Sequence, residues 1–256
     1  MTLAGQRSAV PDAIPTPAPG RLRATVLTAC LAPVAYLAFV LRFADSVIYA
    51  DAWNAIPGLA RFVHGDRDAA WLWSQYGEPR IPLVRLYLLA FARFDHLDNR
   101  HAIIVSAFVQ IAAYALLLVL AHRYLPGGLR PLQALAIGTV WFSVMNWENS
   151  LWAFDVGWFT VNLGLLAMIA ALVLPRRHTL PWTGLAITAA AIASLAWIHG
   201  FLAWIVGAVC IVWMRPQGRA RRIELVVWST AFAASGPAMV GGGAALLGLA
   251  TILGLL

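Results

Sequence analysis

Long apolar runs alternate with short polar connections along this chain, at the spacing expected of helices that cross a bilayer. The first run covers Ala24 to Ala44, and later ones centre on 102–121, 132–146, 156–174, 182–198, 201–214 and 225–240. Each approaches the ~20 apolar residues a helix needs to traverse the hydrocarbon core, or falls somewhat short of it. The pattern predicts an all-α, polytopic membrane helix bundle of about seven transmembrane helices.

The segments between and around the runs complete the expected plan. Residues 1–23, rich in Pro, Ala and Gly, read as a disordered tail, and 24–256 as the transmembrane domain. Residues 45–100 form a large polar and aromatic loop. Within it Ile81 to Phe94 is apolar, but it is short and carries Arg85 and Arg93 eight residues apart, on roughly one helical face. Counting it as a span would invert every later connection, so an interfacial amphipathic helix is expected there. Residues 225–256 are almost continuously apolar, and Gly241-Gly242-Gly243 is expected to divide them. Ending inside an apolar run, at Leu255-Leu256, reads as a truncated chain.

Composition agrees with a membrane protein: 61% of residues are hydrophobic, 11% are charged and mean hydropathy is +0.76. A soluble domain carries about a quarter charged residues. The net charge of +7 comes from arginine, because the chain has no lysine. These arginines punctuate apolar runs rather than covering one solvated surface, which argues against a nucleic-acid partner. Read as a topology signal, Arg21/Arg23, Arg123/Arg130, Arg176/Arg177 and Arg215–Arg222 mark cytoplasmic connections and put the N-terminus inside. Nine of the eleven carboxylates then fall on the opposite, extracytoplasmic face. Cys30 and Cys210 lie within apolar runs and imply no disulfide framework. Leu27-Thr28-Ala29-Cys30 looks like a lipoprotein cleavage box, but the apolar run continues well past it, as a first span would.

Charge near lipid is costly and marks candidate function. Asp51, close after the first span, could act as general base toward a hydroxyl, or it could be a solvated loop residue. Asp66-Arg67-Asp68 is a spacing able to hold a divalent metal ion through oxygen ligands, or a simple turn after Gly65. Glu78-Pro79-Arg80, followed by Arg85, offers forked donors suited to phosphate oxygens, or to lipid headgroups and internal ion pairs. In Asn146–Asp155 a continuous helix would carry Glu148, Trp152 and Asp155 at i, i+4 and i+7, on one face. The tryptophans there also suit an interfacial belt. His199-Gly200 forms the whole connection between two apolar runs, at the level of Asp51 and Glu148. No HExxH, GxSxG, Walker loop or dinucleotide fingerprint is present.

Four stretches together carry a resemblance: DAWNAIPGLARFVHGD, LWSQYGEPRIPLVRLYLLAFARF, NWENSLWAFDVGWFTVNLG and SLAWIHGFLAWIVG. Over roughly residues 24–214 the chain resembles a group of bacterial polytopic membrane proteins similar to GT-C-type glycosyltransferases. The resemblance implies inverting sugar transfer from a polyprenyl-phosphate donor at the extracytoplasmic face of the bacterial plasma membrane. It makes Asp51, Glu78 and Glu148 the catalytic carboxylates and Asp51 the base. Arg80 and Arg85 become candidates for the donor phosphate, and Trp152, Asp155 and His199 for substrate binding. Pro79 stands where the group has His, Ala52 where a second acid is frequent, and Asn146 in a Gln position. GT-C enzymes also have more than ten spans.

Two other functions fit such a chain. A transporter or flippase would place ionisable groups near the bilayer midplane, and the apolar runs are nearly free of them. A non-catalytic membrane scaffold would tolerate degenerate motifs.

Overall fold

A computed structural model describes residues 19–65, 69–76, 80–175 and 180–239. Among them the chain is helical throughout, with one isolated antiparallel bridge between Gln75 and Arg80. Three helices are long and apolar enough to cross a membrane: Gly20–Phe43, Asn99–Tyr124 and Ala153–Val173. The other expected spans are shorter or more charged. Helix α1 runs Pro19–Phe43, so Arg21 and Arg23 belong to its first turns and not to a tail. The short helices α2 (Ile56–Val63), α3 (Ala69–Trp73) and α4 (Pro82–Phe94) follow. Then come α5 (Asn99–Tyr124), α6 (Pro131–Trp141), α7 (Trp147–Ser150) and α8 (Val156–Val173). Helices α9 (Leu180–Ala196), α10 (Leu202–Met214) and α11 (Arg219–Met239) complete the described chain.

Local signals set several of these boundaries. The Asp98 carboxylate accepts the Arg100 N–H at 2.9 Å and caps α5, satisfying one of the amides a helix start leaves open. Proline opens α4 and α6 at a position where its missing N–H costs nothing. At α6 the Gln133 side chain also accepts the Arg130 N–H at 3.0 Å.

Helix α8 is central, lying against α5, α9 and α10. Its contact with α9 uses small residues: a Cβ on Gly164 would fall 2.9 Å from both the Ala189 carbonyl and the Ala193 methyl. Such close approach is how apolar helices associate where lipid is as apolar as their side chains. Helices α9, α10 and α11 lock through tryptophans. Trp204 and Trp228 are fully buried; Trp204 donates to Ser194 Oγ and Trp228 to the Trp204 carbonyl, each at 2.9 Å. Paired indole N–H groups make these two tryptophans core residues and not interfacial anchors.

The 45–100 connection is not a free loop. Ala52, Ala55, Leu59, Ile81, Val84 and Leu88 form one buried cluster with Phe154 and Val156. The α2–α4 segment is thus a folded cap against the end of the bundle where α8 begins. Tyr87 pins α4 to α5 by donating to the Ala102 carbonyl, with Ser106 Oγ at 3.1 Å. Burial pushes its hydroxyl up to about 12.

Candidate functional site

The Asn146–Asp155 segment is not the continuous helix that would put Glu148, Trp152 and Asp155 on one face. Helix α7 ends at Ser150, Trp152 is extended (φ −117°, ψ 109°), and a 3-10 turn covers Ala153–Asp155. Glu148 and Asp155 therefore do not share a helical face. Glu148 stands exposed on α7, while Asp155 is 2% exposed. A carboxylate that buried is unusual, because charge is costly to remove from water. Asp155 is the N-cap residue of α8 but makes no side-chain capping bond, so its oxygens are not engaged with the amides at the helix start.

The turn bearing Asp155 packs against a second 3-10 turn, Ala50–Ala55, which contains Asp51. Backbone geometry is strained at that point. Ala50 has φ +49°, a left-handed conformation that costs a non-glycine residue roughly 1–2 kcal/mol. Such outliers gather where surrounding structure holds a functional residue in place. Two acid-bearing turns thus meet beneath the cap.

Aromatic rings surround them as a connected series. Trp152 stacks on Phe154 at 5.5 Å and meets Tyr49 edge-on at 6.3 Å. Phe154 also contacts Tyr76 and Trp197, and Trp158 lies between Trp197 and His199. Trp152 Nε1 is buried and has no hydrogen-bond partner among the described residues. A buried donor in that condition costs about 1–3 kcal/mol. Phe154, Tyr76 and Trp197 carry no chemical signature in sequence; only the fold shows that they line this region.

His199 is exposed, in a 3-10 turn over Ile198–Phe201 and not a bare two-residue hinge, its ring 4.5 Å from that of Trp158. Glycine is required beside it. A Cβ on Gly200 would fall 2.1 Å from the Ala193 carbonyl, so the turn can lie on α9 only without a side chain there.

The arginines behave differently from one another. Arg85 and Arg93 do not share an environment: Arg93 is exposed, while Arg85 is 5% exposed. The Arg85 guanidinium donates to the carbonyls of Trp71, Ser74 (2.6 Å) and Gln75 (3.3 Å) and to Ser74 Oγ (2.8 Å). It also lies 5.4 Å from the centre of the Trp71 ring. Burial lowers its pKa from the usual arginine value. Its donors are thus turned onto the 71–75 backbone, an internal contact of the kind weighed against a phosphate ligand. Arg80 is half-buried and bridges to Gln75. Glu78, Asp66 and Asp68 lie outside the described residues, as does the side chain of Asp51. Among the described residues no three His, Cys, Asp or Glu side chains gather as a metal site.

One cavity of about 310 Å³ opens nearby between α1 and α6, lined by Tyr36, Phe39, Gly138 and Phe142, with Trp147 and Ser150 of α7 at its rim. It is largely apolar, and Glu148 lies on the same short helix as its rim residues. No family model, curated protein or solved structure matches this chain.

Proposed function

We propose that this chain is an integral membrane glycosyltransferase-like protein of the GT-C type, with about seven spans and its N-terminus in the cytoplasm. It takes a sugar from a polyprenyl-phosphate donor at the extracytoplasmic face of a bacterial plasma membrane. The observation that carries this reading is the meeting of two acid-bearing turns, one holding Asp51 and the other the buried Asp155. Asp51 serves as base, taking the acceptor hydroxyl proton as that oxygen attacks the anomeric carbon and the polyprenyl phosphate departs. Asp155 and the Trp152 indole N–H offer a buried acceptor and donor for sugar hydroxyls. The apolar cavity between α1 and α6 suits a prenyl chain, with Glu148 on the short helix that supplies Trp147 and Ser150 to its lining.

The test is transfer from a polyprenyl-phosphate sugar by Asp51→Asn and Asp155→Asn variants, with membrane insertion checked separately. Loss of transfer in both, with insertion intact, is expected. Full activity in both variants would refute the reading, and activity surviving only in Asp51→Asn would move the base to Asp155. A transporter or flippase reading can draw on the buried Arg215–Glu224 pair, 2.9 Å apart. However, that arginine also donates to the Leu172 carbonyl at 3.0 Å, as a pin between α8 and α11 would. Substrate flux across proteoliposomes without glycosyl transfer would favour transport.

A further inference from the structure

The opposite end of the bundle has an unbalanced charge. The N-terminal turns of α1 carry Arg21 and Arg23, and α6 opens just after Arg130. The 127–130 segment holds these together: Arg21 Nη2 donates to the Gly127 carbonyl at 3.1 Å, and buried Thr25 lies 3.5 Å from the Leu129 carbonyl. All three arginines are exposed. Among the described residues Glu224 is the only carboxylate at this end, and Arg215 holds it in a buried pair. The chain therefore supplies no counter-charge here from its described residues. Immediately beside the cluster, Leu22, Val26 and Leu132 are 49%, 53% and 77% exposed.

We propose that Arg21, Arg23 and Arg130 seat the phosphodiester headgroup of an anionic phospholipid, whose acyl chains lie along Leu22, Val26 and Leu132. Arginine suits this partner because its planar fork meets phosphate oxygens two at a time. An adjoining apolar strip distinguishes a lipid from a soluble anion, since only the lipid brings a chain to cover it. Basic residues at a membrane surface attract anionic lipid by an amount that adds residue by residue. The site is independent of the chemistry proposed at the acidic end.

The experiment is lipid retention by the full purified chain in detergent, titrated with dioleoylphosphatidylglycerol or dioleoylphosphatidylcholine and read by native mass spectrometry. A preference for phosphatidylglycerol of about tenfold or more is expected. It should weaken between about 50 and 500 mM salt, and disappear in Arg21→Gln/Arg23→Gln/Arg130→Gln. The matching lysine variants and Arg93→Gln/Arg100→Gln, at the other end, should keep it. An unchanged preference in the triple glutamine variant, or insensitivity to salt, would overturn the proposal. Displacement of the lipid by equimolar glycerol phosphate would overturn it too, by identifying a soluble-anion site. Should the triple variant not purify folded, the salt series on the unmodified chain decides, together with Arg23→Gln, which breaks no hydrogen bond among the described residues.

Discussion

Replacing Arg85 with methionine separates its two candidate roles, clamp for the cap and ligand for a donor phosphate. The guanidinium holds the carbonyls of Trp71, Ser74 and Gln75 and the Ser74 hydroxyl, and it lies against the Trp71 ring. Ser74 and Gln75 are exposed, so water can take over those acceptors once the guanidinium is gone. The Trp71 carbonyl and the ring contact are replaced less well. Charged hydrogen bonds contribute about 1.5–3 kcal/mol, and a cation–π contact at least 0.5. A net local loss of about 2 kcal/mol follows, enough to open the 69–76 segment roughly thirtyfold more often. Hydrogen exchange of amides 69–76 in detergent reads this directly, with the α9–α11 amides as an internal reference. Arg85→Lys should fall between, since one ammonium cannot reach the same set of carbonyls. Unchanged exchange at 69–76 in Arg85→Met, accompanied by loss of donor binding, would refute the clamp and restore the phosphate role.

Three further outcomes test other parts of the structure. Gly200→Ala should cost about 1–3 kcal/mol by driving a methyl into the Ala193 carbonyl. It should lower the thermal midpoint and change the near-ultraviolet dichroism of the Trp158–His199 pair. Glu224→Gln should destabilise by about 3–5 kcal/mol, because it strands a buried guanidinium, whereas Arg215→Met/Glu224→Leu should cost much less. Equal thermal losses in the single and double variants would contradict that. Ser194→Ala removes the acceptor of the buried Trp204 N–H and should cost about 1–3 kcal/mol in the same assay.

Much of the candidate site is hidden from sequence for a specific reason. Helical periodicity aligns Glu148, Trp152 and Asp155 only while the helix continues, and here it stops at Ser150. The break turns Asp155 inward and leaves Glu148 outside, so two acids that look equivalent in sequence differ completely in burial. Arg85 shows the same limit. Its composition and neighbours fit a phosphate ligand as well as a clamp, and the decision depends on where the 71–75 backbone passes. The glutamate of the Glu-Pro-Arg stretch and the Asp-x-Asp pair lie outside the described residues.

Local sequence alone predicted a helical, apolar chain, and its runs at 24–44, 102–121 and 156–174 fall on the helices Gly20–Phe43, Asn99–Tyr124 and Ala153–Val173 that are long and apolar enough to cross a bilayer. The helix starts at Asp98, Pro82 and Pro131 are also set locally, because caps and prolines act within a few residues. Local sequence separated connections that carry the carboxylates from those that carry arginine and almost no acid, since side-chain charge needs no fold to be counted. Tertiary structure decided the rest: that residues 45–100 include a packed cap, that Trp204 and Trp228 are core, and that the turns of Asp51 and Asp155 meet. Burial and juxtaposition depend on residues distant along the chain, and no local pattern encodes which of them arrive.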